Sequence, residues 1–106
     1  MTTLAARHCK PSVAKLDPKD AAGFSREVAG WQVEADTLVK VFPFKNYYET
    51  MAFVNMVAWI AHREDHHPDL AVSYSKCRVA FSTHSVGGLS ENDFICAAKI
   101  EAALAT

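Results

Sequence analysis

The apolar pattern of this chain changes period at Pro68, and that change limits the folds open to it. Before the proline, Tyr47, Met51, Val54, Ala58 and Ala61 recur at helical spacing; after it, Leu70, Val72 and Tyr74 alternate with Ala71 and Ser73. A proline disfavours helical geometry in the residue before it. A helix capped by Asn46 is therefore expected to continue to about Asp65 and to finish within a residue or two of His66. Beyond a short turn at Ser75 and Lys76, Val79 and Phe81 alternate with Arg78, Ala80 and Ser82 up to His84, which makes a hairpin.

A second hairpin precedes the helix. Trp31, Val33 and Ala35 alternate with Gln32 and Glu34 as a half-buried strand, and after Asp36 and Thr37 its partner extends from Leu38 to about Phe44. Asp17 and Pro18, as N-cap and first helical residue, open a helix expected to reach about Ala29 before Gly30 ends it. Ser90 and Asp93 form a capping-box-like start to a last helix through about Leu104. The order is α-β-β-α-β-β-α, an α+β domain with a four-stranded antiparallel sheet and helices packed on one face. Residues 1–16 show no sustained period and are expected to be a flexible N-terminal arm, with 17–106 a single domain. In helix 46–65 the Tyr47, Met51, Val54, Ala58 and Ala61 face is expected to cover the sheet. Phe53, Met56, Val57 and Ile60 would then remain on the other sides for a subunit interface.

Charge and cysteine usage exclude several classes of function. Eleven Lys plus Arg against twelve Asp plus Glu leave a net charge of −1, and no stretch concentrates basic residues for tracking phosphates, so nucleic acid is not an expected partner. The longest apolar stretch, 54–61, is too short to span a bilayer, and the first residues lack a secretory apolar core; a cytoplasmic location is expected. Cys9, Cys77 and Cys96 are odd in number and form no CxxC pair, which suggests reduced thiols rather than a disulfide framework or zinc ribbon.

The residues able to carry chemistry are concentrated in one region. Four of the five histidines, His62, His66, His67 and His84, fall within residues 62–84. His62 and His66 are four apart and share a helix face, His67 turns off the helix end, and His84 ends a strand, so a helix end and a strand end meeting at one edge would bring imidazoles to one pocket. Imidazole titrates nearest neutrality, and such a cluster suits a reaction that adds and removes protons on one substrate. The plainer readings compete. His62, beside Arg63, Glu64 and Asp65, suits a solvated position; Asp93 is a helix cap; Tyr74 suits a core. A metal site is a further alternative, although in His62-Arg63-Glu64-Asp65-His66 the glutamate stands third rather than second as in HExxH. No GxSxG elbow supports a serine nucleophile.

The series His62, three residues, His66-His67-Pro68, five residues, Tyr74, nine residues, His84, eight residues, Asp93 resembles the signature of the pterin-4a-carbinolamine dehydratases. The Trp31 strand, Phe42-Pro43-Phe44 leading into Tyr47, Ser82-Thr83-His84 and Gly87-Gly88-Leu89-Ser90 are similar too, so the resemblance covers about residues 17–104. The family often has an acidic residue where this chain has His62. The resemblance implies a dehydratase that removes water from a 4a-hydroxytetrahydropterin, the pterin 4a-carbinolamine left by aromatic amino acid hydroxylases, to give a quinonoid dihydropterin. It implies catalytic roles for His66, His67 and His84, with His67 and His84 as the acid/base pair, His66 binding the pterin and Asp93 orienting an imidazole. His62, Pro68, Tyr74 and Asp93 are expected to support substrate binding. No metal and no organic cofactor is implied. Homodimers or homotetramers through helix 46–65 are. The alternative is a non-enzymatic dimerisation or regulatory partner of another protein through the same helix.

Overall fold

The computed structural model describes residues 3–105. Met1 and Thr2 of the expected arm and Thr106 of the expected domain lie outside the described residues. Four strands, β1 (Gln32–Glu34), β2 (Thr37–Pro43), β3 (Asp69–Val72) and β4 (Lys76–Phe81), form one antiparallel sheet in the order β1-β2-β4-β3. Three helices, α1 (Pro18–Ser25), α2 (Tyr47–Glu64) and α3 (Glu91–Leu104), complete the expected α-β-β-α-β-β-α order. In β2 and β4 the paired residues Leu38 and Phe81, Lys40 and Val79, and Phe42 and Cys77 share the helix side of the sheet, as the two-residue period requires. Val41 and Arg78, one residue out of step, face away and are exposed.

Aromatic packing joins the layers. Phe53 of α2 lies 4.6 Å from Phe42 between ring centroids, and Phe94 of α3 stacks on Phe24 of α1 at 5.6 Å. Trp31 meets Phe42 edge-on at 5.7 Å, and its indole N–H donates to Glu101 Oε2 at 2.9 Å. α3 is the innermost helix: Phe94, Ile95, Cys96, Ala97 and Ile100 have no exposure, because α1, α2 and the N-terminal segment all pack on it.

Several local expectations are corrected. α1 stops at Ser25 rather than near Ala29, since Glu27 and Val28 bond back only three residues, to Phe24 and Ser25, in a tightening turn. Trp31 is buried just ahead of β1, but Val33 is 45% exposed because β1 is an edge strand, and Ala35 occupies the hairpin turn at φ +54°. The two faces of α2 are exchanged. Thr50, Phe53, Val57 and Glu64 are the buried residues, whereas Tyr47 and Ala58 are exposed and Met51, Val54 and Ala61 only half-buried. Periodicity counted apolar residues on both faces and could not rank them; the larger Phe53, aimed at Phe42 and Phe44, takes the core.

The segment before α1 is docked, not loose, from its first described turns. Leu4 in a 3₁₀ turn, Leu4–Ala6, is 2% exposed against α3. Asn92 binds both the N–H (3.0 Å) and the carbonyl (2.9 Å) of Lys10, and Lys99 Nζ donates to the Ala5 carbonyl at 2.8 Å. Beneath this segment lies Glu64, whose carboxylate accepts the Cys9 N–H at 2.7 Å and lies 3.0 Å from His8 Nδ1 and 3.8 Å from Lys99 Nζ. Burial works to raise the Glu64 carboxyl, but the Cys9 N–H, His8 and Lys99 outweigh it and hold the group below its ordinary value of 4.5. A carboxyl depressed by folding contributes stability that is present above 4.5 and is lost as pH falls through the lower folded value. Urea unfolding followed from neutrality into acid is expected to show part of the stability disappearing below that value. Glu64→Gln should be less stable at neutrality and show a smaller loss in the same interval; an unchanged acid profile would remove Glu64 from this role.

Candidate active site

α2 ends in a way that turns its histidines apart. Asp65 takes the left-handed conformation at φ +52°, and the His66 N–H reaches back five residues to the Ala61 carbonyl at 3.1 Å. The chain leaves the helix axis there, so His66 does not continue the face that holds His62. His62 stays on the helix surface beside Trp59, with ring centroids 5.7 Å apart. The His66 ring turns inward, lies nearly parallel to Phe81 (8°, 5.9 Å), and places Nε2 2.6 Å from Asp93 Oδ1.

Asp93 is fully buried at the first turn of α3. It serves the helix and the histidine at once. Oδ2 accepts the Ser90 N–H at 2.9 Å, closing the capping box, and the Thr83 hydroxyl at 2.8 Å, while Oδ1 faces His66. Because the Thr83 proton points at Asp93, the 2.7 Å contact between Thr83 Oγ1 and Ser90 Oγ is a donation from serine to threonine. Ser90 Oγ accepts in turn from the Asn92 N–H at 3.2 Å. A carboxylate only accepts, so Nε2 of His66 carries a proton, and in the neutral ring the lone pair is left on Nδ1, which has no protein partner among the described residues.

A cavity of about 370 Å³ opens beside this pair. Val57, Ala61 and Leu70 provide its apolar wall, and His62, His66, His67 and Pro68 line it as well. Its volume falls within the roughly 300–1,000 Å³ of small-molecule sites. The arrangement offers an open, largely apolar slot lined by three imidazoles. His66, with its ring 12% exposed, is the most enclosed of them; His62 and His67 are exposed.

Two expected site residues stand elsewhere. β4 ends at Phe81, and His84 opens a 3₁₀ turn, His84–Val86, held by the Thr83–Gly88 bridge. His84 is exposed and does not line the cavity, although its chain neighbour Thr83 donates to Asp93. Tyr74 is not a strand residue. It is 66% exposed in the β3–β4 turn, and its carbonyl accepts from Thr50 Oγ1 at the start of α2. From there to His66 is nearly the length of the helix, on the order of 20 Å. Thr83, Ser90 and Phe81, which hold Asp93 and His66, were not among the expected site residues; of these, only the capping role of Ser90 had a local signal. Among the described residues no group of three or more His, Cys, Asp or Glu side chains has the arrangement of a metal site.

This is a small α+β domain in which a buried carboxylate fixes an imidazole at the mouth of a slot, and comparison with known proteins gives it a family. Residues 14–103 match the family model described as pterin 4 alpha carbinolamine dehydratase. A Nitrosospira multiformis protein provisionally named pterin-4-alpha-carbinolamine dehydratase is 55% identical over 101 residues, covering 92% of this chain and 89% of that protein. One from Stenotrophomonas maltophilia with the same provisional name is 56% identical over 104 residues, covering 93% and 90%. The crystal structure of a Brucella melitensis protein described as a transcriptional coactivator/pterin dehydratase superposes with a TM-score of 0.79 at 30% identity, covering 83% of this chain and 96% of that one. A pterin dehydratase-like protein described as a RuBisCO assembly factor of the alpha-carboxysome shares the fold, with a TM-score of 0.56 at 23% identity over 68% of this chain and 83% of that one. The chain belongs to the pterin 4 alpha carbinolamine dehydratase family.

Proton–nitrogen NMR correlation spectra provide a direct check on the site. Neutral His66 is expected in the Nε2-protonated tautomer, and Asp93→Asn should weaken that preference. A dominant Nδ1-protonated ring in the unaltered protein would remove the Asp93 contact as its cause.

Proposed function

We propose that this protein is a dehydratase acting on a 4a-hydroxytetrahydropterin. The observation that carries the reading is the 2.6 Å contact between His66 and buried Asp93 at a slot that His67 also lines. In the reaction the C4a–O bond breaks with its electron pair going to oxygen, a proton on that oxygen completes water, and N5 loses its proton as the N5–C4a double bond forms. One group must give a proton and another take one. His66, His67 and His84 share this work. His66 suits the acceptor, because Asp93 commits its proton to Nε2 and stabilises the imidazolium once Nδ1 has taken a second. His67 suits the donor at the same cavity. This pairing has better geometric support than the one between His67 and His84, since His84 does not line the slot. His84 then attends the open side of the substrate, with His62 and Pro68 bounding the slot; Tyr74 has no part in this arrangement.

The same reading places the protein in the cytoplasm, coupled to an aromatic amino acid hydroxylase whose pterin it restores. Among the described residues no helix is long and apolar enough to cross a membrane. Absorbance at the quinonoid dihydropterin band, started from a freshly generated 4a-hydroxy adduct, tests the activity. His67→Ala, at an exposed side chain, should slow dehydration by about 10² to 10⁴ with circular dichroism unchanged, and His66→Ala should slow it at least as much while also lowering stability, because buried Asp93 loses one of its bonds. Turnover equal to the unaltered enzyme in both variants would overturn the reading.

A second reading, a non-enzymatic binding partner through α2, is favoured by one observation: Tyr48 is 81% and Trp59 59% exposed, large apolar surface on a helix whose opposite side is already in the core. Homodimers or homotetramers through 46–65 would use this outer face rather than Phe53 and Val57. Trp59→Glu and Tyr48→Glu are expected to shift sedimentation toward a smaller species while leaving the fold intact; unchanged sedimentation would exclude this face.

A further inference from the structure

The sequence separates Cys9 from Cys96 by most of the chain, yet the fold sets their sulfurs 3.6 Å apart. The approach is built by the surrounding contacts. Asn92 and Cys96 are four apart on α3 and so share a face. Asn92 grips the backbone of Lys10 through both of its amide groups, and Glu64 holds the Cys9 N–H at 2.7 Å. These bonds fix the backbone on either side of the Cys9 side chain directly over Cys96. Cys9 Sγ also donates to the Asn92 carbonyl at 3.6 Å, and Cys96 Sγ lies 3.9 Å from the His66 carbonyl.

We propose that Cys9 and Cys96 form a reversible disulfide that staples the N-terminal segment to α3 when the protein meets a hydroperoxide. Cys9 is half-buried and Cys96 fully buried, so the oxidant reaches Cys9 first. The hydrogen bond with Cys9 and burial both push the Cys96 thiol up, which leaves Cys9 as the attacking sulfur. The Cys9 thiolate bonds to one peroxide oxygen as the O–O bond breaks, giving a sulfenic acid and, from hydrogen peroxide, water. Cys96 sulfur then displaces the sulfenic oxygen, its proton leaves with that oxygen as a second water, and the S–S bond forms. Two thiols are oxidised by two electrons and the peroxide is reduced to two waters. Bond formation brings the two sulfurs from 3.6 Å to about 2.0 Å. The His66 and Asn92 carbonyls both lose their thiol contact. Cys77, buried in β4 and in hydrogen-bond contact with neither sulfur among the described residues, takes no part.

Trypsin places each cysteine in its own peptide, at residues 8–15, 77–78 and 79–99, which makes the test direct. The reduced full chain is treated with hydrogen peroxide, quenched by alkylation and digested without reductant. The expected product joins 8–15 to 79–99, lacks the mass of two hydrogens, and reverts with dithiothreitol. Cys9→Ser and Cys96→Ala should each abolish it, and the oxidised unaltered chain should unfold at higher denaturant than the reduced one. Recovery of 8–15 unbridged, over-oxidised, joined to 77–78 or joined to a second chain would overturn the proposal, and none of these results depends on whether the pterin is a substrate.

Discussion

Most of the site depends on one buried carboxylate. Asp93 has no exposure and accepts from the Ser90 N–H, the Thr83 hydroxyl and His66, which belong to the start of α3, the stretch after β4 and the segment beyond α2. A buried charge is costly unless it is hydrogen-bonded, and each bond to a charged group contributes about 1.5–3 kcal/mol. The three elements are therefore held in mutual position by one group whose satisfaction needs all of them. The imidazole is oriented by the contact that starts the helix, so the function of this edge cannot be separated from its folding.

A second buried carboxylate does comparable work behind the site. Glu64, the last residue of α2, gathers His8, the Cys9 backbone and Lys99, and so ties the N-terminal segment to the end of the helix from which His66 and His67 depart. Leu4 and Asn92 extend the same attachment along α3. The result is an innermost helix whose first half is enclosed by its neighbours, which explains why Phe94, Ile95, Cys96 and Ala97 are all without exposure. α2, by contrast, keeps an outer face with Tyr48 and Trp59 in solvent.

The family and the fold were legible early because they rest on local rules and on spacing. The capping residues Asp17, Asn46 and Ser90 each start a helix where expected, since a cap needs only a side-chain oxygen and the next few amide groups. Pro68 separates helix from strand for an equally local reason. What misled were positions where apolar character was present on both sides of an element. Phe53 and Val57 belong to the core although the apolar period places them outward, because period alone cannot tell which of two apolar stripes meets the sheet. Tyr74 continued an alternation into a turn that the register of β3 with β4 had already closed at Val72 and Cys77.

Local chemistry thus decided where the helices and strands begin, and the order of residue types decided which imidazoles and which carboxylate this chain carries. Which of them meet was decided only in three dimensions. The pairing of His66 with Asp93, the exclusion of His84 from the slot, the grip of Glu64 on the first described residues and the contact of Cys9 with Cys96 all join positions distant along the chain. Caps and periods act over a few residues, whereas such contacts follow from which surfaces the packed sheet and helices bring together.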